Sequence, residues 1–215
     1  MAELTLDRGL EVLAGRTKAV RIFVYLVMGL GMGLALGELL EAFGIIDTAA
    51  LEPDQISTIF LFVYLGFGVA YLISIVVVSM WIYRAHANAA AAGIEKEFTP
   101  GWAVGWFFIP IMNLFKPYQA MRELWNSSHL VATNYSDDAA NDVKIWWGCF
   151  VVGNILSNIS IRINGWAGET ANPTGLAIGC VSSLLTVACA WYLLRIFEAI
   201  DRAQHGEMTA AEVFA

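Results

Sequence analysis

Few side chains in this sequence could do chemistry, and they are unevenly placed. His86, His129 and His205 fall singly, as do Cys149, Cys180 and Cys189, without the C-x-x-C or H-E-x-x-H spacing that holds a metal. No phosphate-binding loop, G-x-S-x-G elbow or dinucleotide fingerprint occurs, so neither a cofactor site nor familiar catalytic machinery is expected. Two groups stand out. Glu38, Glu41, Asn154, Asn158 and Arg162 interrupt otherwise apolar stretches. Arg84, Asn88, Lys116 and Glu123 flank or punctuate a segment rich in Trp, Pro and Gly. Glu123 and His86 are the acid and base available to a membrane-embedded enzyme, though no spacing shows that they meet.

The elements that must position these residues follow from composition. The chain has 215 residues, 58% hydrophobic and only 14% charged, where globular domains average about 25% charged. The net charge of -7 leaves no basic face for nucleic acid. Scarce charge with abundant apolar residues predicts a multi-pass membrane protein, in which a span needs about 20 apolar residues. Four stretches qualify, at about 22–46, 58–83, 145–163 and 175–197. A fifth, Trp102 to Phe115, is too short to cross and contains Pro110. Ala35-Leu36-Gly37 resembles a signal cleavage site, but the long leader with Glu3, Asp7 and Glu11 argues against processing there.

Lys and Arg set the orientation. Eleven of the twelve occur in the N-terminal arm, in the connection between the second and third stretches, and near the C-terminal end, and the twelfth is Arg162. The loops Asp47–Ser57 and Asn164–Thr174 hold none, while Asp47, Glu52, Asp54 and Glu169 collect there. The positive-inside rule places both termini and the middle connection in the cytoplasm, in the cell membrane.

Within the stretches, Glu38 lies roughly 25 Å from Arg21, and Arg162 roughly 27 Å from Lys144, at the rise of an ideal helix. Similar depth predicts an ion pair between Arg162 and Glu38 or Glu41. Asn154, Ser157, Asn158 and Arg162 share one helical face, expected to point into the bundle as interhelical glue or as a polar path for an ion or solute. Gly29, Gly33 and Gly37, and likewise Gly175, Gly179 and Ser183, form small-residue faces suited to tight packing or to a homo-oligomer.

The middle connection is the most distinctive part. Trp81 to Asn88 closes the second stretch, and the following alanines continue its helix. Thr99 before Pro100 reads as a helix start, and Pro110 ends that short helix. Lys116-Pro117 begins another, with Tyr118, Met121, Leu124 and Trp125 on one face. Together residues 98–129 read as an elbow dipping into the inner leaflet, with Arg84, Asn88, Asn113 and Glu123 supplying polar partners to its backbone. The N-terminal arm, with Leu6, Leu10 and Leu13, reads as another short surface helix, and the tail beyond Asp201 as loose.

At these residues the chain resembles a known family. The run W-x-Y-R-A-x-x-N, followed by P-G-W-A-V-G-W-x-F-x-P-x-x-N-L-x-x-P-Y-x-A-M-x-E-x-W, spans Trp81 to Trp125 and is similar to the signature of the domain-of-unknown-function 4328 family. Many members have Trp where this chain has Phe107 and Phe115. The resemblance implies a bacterial multi-pass membrane protein of unknown activity and makes the elbow a shared feature.

The expected architecture is therefore all-α: one membrane domain over 1–215, a four-helix bundle with a cytoplasmic re-entrant or interfacial helix pair. The expected function is binding of a lipid headgroup or partner protein at the elbow, through Arg84, Asn88, Pro100, Gly101, Trp102, Trp106, Pro110, Asn113, Lys116, Pro117, Tyr118, Glu123 and Trp125. Alternatives are a small channel or transporter using the polar face of the third stretch, and an embedded enzyme.

Overall fold

A computed structural model of the chain describes residues 5–48, 50, 52, 54–129, 137–165 and 172–213. Among these the fold is helical throughout, without strands. The helices are α1 (Leu6–Ala42), α2 (Gln55–Ala91), α3 (Pro100–Gly105), α4 (Lys116–Ser128), α5 (Asp137–Asn164) and α6 (Pro173–Val213). Two 3-10 turns, Trp106–Phe108 and Met112–Leu114, link α3 to α4. Glu169, among the acids expected in the second Lys/Arg-free loop, lies outside the described residues.

Local sequence sets the helix ends. Asp54 accepts from the Ser57 amide at 2.7 Å and Asn172 from the Thr174 amide at 2.9 Å, so each satisfies an orphan donor at a helix start. Gly44 and Gly93 end α1 and α2 with φ of 67° and 74°. In each, the glycine amide and the next one reach back to the last turn, the arrangement that a left-handed residue permits. Ile94, just past Gly93, then packs against Leu10 and Ala89.

Among the described residues three helices, α1, α2 and α6, are long and apolar enough to cross a membrane. The hydropathy of α2 is not that of a buried core, and it suggests a lipid environment. Ile59, Phe62, Leu65, Val69, Leu72 and Val76 all point outward, a surface that water would not tolerate. α5, matching the third stretch, is 28 residues long but is not among the three. Its Asn154, Ser157, Asn158, Ser160 and Arg162 lower its apolar character. The N-terminal arm is not a separate surface helix but the first turns of α1, with Leu10 and Leu13 buried. The tail continues helically in α6 to Val213.

The chain forms two compact units. The first comprises Met1–Ile22, Ile75–Ile145 and Tyr192–Ala215; the second comprises Phe23–Ser74 and Trp146–Trp191. In the first, Trp81 stacks on Phe197 with ring centroids 3.8 Å apart and donates from Nε1 to Thr17 Oγ1 at 2.8 Å. Around this core Arg21 pairs with Glu198 at 2.8 Å and Arg195 with Asp142 at 3.0 Å. In the second, glycines allow close approach. A Cβ at Gly33 would lie 2.9 Å from Val63, and one at Gly37 2.8 Å from Phe60. The glycine face of α1 is thus used against α2.

Candidate functional site

In the first unit the elbow is built as the local sequence dictates. Thr99 Oγ1 caps α3 by accepting from the Trp102 amide at 3.4 Å, with Pro100 in the first turn. Gly101 follows on the exposed side of that turn, and Ala103 is buried. Trp102 and Trp106 lie one turn apart with centroids at 4.7 Å. Pro110 falls between the two 3-10 turns, where a helix could not continue. Pro117 occupies the first turn of α4, which buries Met121, Leu124 and Trp125 and half-buries Tyr118. Trp125 stacks on His129 at 4.3 Å.

Two surfaces result. From Trp102 to Phe115 the elbow presents Trp102, Phe108, Ile109, Ile111, Met112, Leu114 and Phe115 outward, and this run holds no charge. Ile111 is 71% exposed and Phe108 66%, values typical of polar loop tips rather than large apolar residues. The backbone there is nonetheless bonded internally: Asn113 N donates to Ile109 O at 2.7 Å, Leu114 N to Ile111 O at 3.2 Å, and Phe115 N to Met112 O at 3.0 Å. The second surface is an open cleft of about 590 Å³ whose lining includes Glu95, Glu97, Phe98, Lys116, Gln119 and Arg122. Lys116 sits 3.7 Å from Glu97 and 5.2 Å from the Phe98 ring centre.

Glu123 does support the elbow's backbone. Its carboxylate accepts from the Glu97 amide and, at 3.2 Å, from the Phe98 amide, fixing the connection between α2 and α3. Nearby, Lys96 Nζ donates to His86 O at 2.8 Å and faces His86 Nδ1 at 3.4 Å. Burial pushes the Lys96 ammonium down to about 8, against the pull of Glu123. Glu123 and His86 therefore have separate partners, and no hydrogen bond joins them among the described residues. Trp106 Nε1 and Asn113 Oδ1 are buried without a partner among the described residues.

Arg84 and Asn88 serve a different purpose from the one expected. Arg84 Nε donates to Asn88 Oδ1 at 2.8 Å, and Asn88 Nδ2 donates to Gly9 O at 3.2 Å and Gln204 Oε1 at 3.4 Å. Gln204 in turn donates to Ala85 O and Ser128 Oγ, each at 3.1 Å. This buried knot ties α2 to the start of α1, to α4 and to α6, not to the elbow's loop. Gln204 and Ser128 were not singled out by sequence; a Gln beyond an apolar stretch carries no signal of its burial.

In the second unit the expected ion pair does not form. Glu38 accepts from Ser183 Oγ at 2.7 Å, and Glu41 from Thr48 Oγ1 at 2.9 Å. Short hydroxyl donors next to each carboxylate meet its need for hydrogen bonds. Arg162 is exposed and lies on the same side of α5 as Asn154 and Asn158. Each of these amides donates back to its own helix, to Phe150 O and Asn154 O, at 2.8 Å. The polar face points outward, opposite to expectation, because α5 packs on α6 through Gly153 and Ser160.

No curated protein and no solved structure matches the chain. The sequence model of a domain of unknown function (DUF4328) matches residues 49–202, which contain α2, the whole elbow, α5 and most of α6. The chain belongs to the DUF4328 family.

Proposed function

We propose that this is a four-span protein of the cell membrane, with α1, α2, α5 and α6 as spans and both termini cytoplasmic. Its elbow enters the inner leaflet and binds a phospholipid headgroup in the cleft beside it. The observation that carries this reading is the outward, uncharged apolar surface from Trp102 to Phe115 on a backbone that bonds to itself. Irregular backbone enters a bilayer only if its amides are satisfied, and exposed Trp and Phe suit the interface.

Lys116 and Arg122 supply the cations for a headgroup phosphate, while acyl chains lie along Phe108, Ile111 and Phe115. Basic residues at a membrane surface each contribute about 1 kcal/mol toward anionic groups. The test is native mass spectrometry of protein released from phospholipid vesicles. Lys116→Glu combined with Arg122→Glu is expected to reduce retained phospholipid about thirtyfold or more, from about 1 kcal/mol for each cation. Unchanged retention contradicts the headgroup site.

A further inference from the structure

α5 carries an outward polar face within the second unit. Asn154, Asn158 and Arg162 recur at four-residue spacing, all exposed. The opposite side of α5 is held against α6. Ser182 donates to Gly153 O at 3.0 Å, and Ser160 to Gly175 O at 2.7 Å. Seven residues along α5 thus correspond to seven in the reverse direction along α6. The two helices run antiparallel side by side, so α5 shares the depth of a helix that is apolar enough to cross a membrane.

A face with two amides and a guanidinium at that depth is costly against lipid. Each Asn has given one N–H to its own helix and keeps an acceptor oxygen and a second N–H. Arg162 makes no hydrogen bond or ion pair among the described residues, and its guanidinium needs acceptors. We infer that this face is covered by the same face of a second copy of the chain. Asn amides are self-complementary across a two-fold axis, and the arginine of each copy finds the acceptor oxygens of its partner's asparagines. Three glycines of the small-residue faces already pack within the chain. Gly33 and Gly37 contact α2, and Gly179 lies against Glu38.

The inference rests on the four-span reading of α5 but not on headgroup binding. Its test is disulfide cross-linking in vesicles with Cys149, Cys180 and Cys189 replaced by alanine. Asn158→Cys is expected to give a covalent dimer, and Phe62→Cys, on the outward face of α2, is not. Single-molecule photobleaching should count pairs, and Asn154→Leu with Asn158→Leu should weaken pairing at least about tenfold, from roughly threefold per amide contact. These side chains are exposed in the single chain, so helicity and tryptophan emission should be preserved in the variant. Wild-type monomers, or cross-linking at Phe62→Cys instead of Asn158→Cys, overturn the inference. Full labelling of Asn154→Cys, at the middle of the third apolar stretch, by a membrane-impermeant maleimide overturns it together with the four-span reading. Absent labelling with absent cross-links overturns the dimer alone.

Discussion

Gly9 shows how one residue can hold several elements in register. A Cβ there would lie 2.3 Å from Asn88 Oδ1 and 3.2 Å from Arg84 Nη2. Neither atom can retreat freely, because the two side chains are bonded to each other inside the buried knot. Gly9→Ala is expected to destabilise the protein by about 1–3 kcal/mol, the range for overpacking, measured by thermal unfolding in detergent. Lys96 offers a pH signature. Its ammonium titrates near 8 when folded and at 10.5 in its ordinary state, so the unfolded chain holds more protons between those values. Stability should therefore rise with pH through that window. Lys96→Met should flatten the rise relative to wild type.

At the scale of elements, the elbow was legible because its signals are local. Thr99-Pro100 and Lys116-Pro117 mark helix starts by capping and ring geometry, and α3 and α4 begin there. Glu123 was identifiable as a polar support, though its targets, the Glu97 and Phe98 amides, were not. Glu123→Ala should speed hydrogen exchange at those two amides about fivefold or more, as expected for losing about 1 kcal/mol. Glu123→Gln should keep part of the protection. The direction in which the polar face of α5 turns is not legible in the sequence, for a physical reason. Periodicity shows that Asn154, Asn158 and Arg162 share a side, but not which side α6 covers. That choice is made by Gly153 and Ser160, two small residues without a distinctive sequence pattern. The bonds of Asn88 are likewise not legible, because its partners Gly9 and Gln204 are remote in sequence.

For the whole molecule, composition was sufficient to reveal the class. Low charge and long apolar stretches imply helices long and apolar enough to cross a membrane, and among the described residues α1, α2 and α6 meet that description. The polar α5 is where the sequence pattern and the apolar criterion diverge, and a covering second copy accounts for the difference. The central claim is that the elbow enters the bilayer, and probe depth tests it most directly. Ile111→Cys and Gln119→Cys, each in a background without other cysteines, would carry a bimane label in vesicles containing brominated phospholipid. Strong quenching by the bromolipid at 111, with weak quenching at 119, is the expected result. A label at 111 that is quenched by aqueous iodide and untouched by the bromolipid would contradict the account.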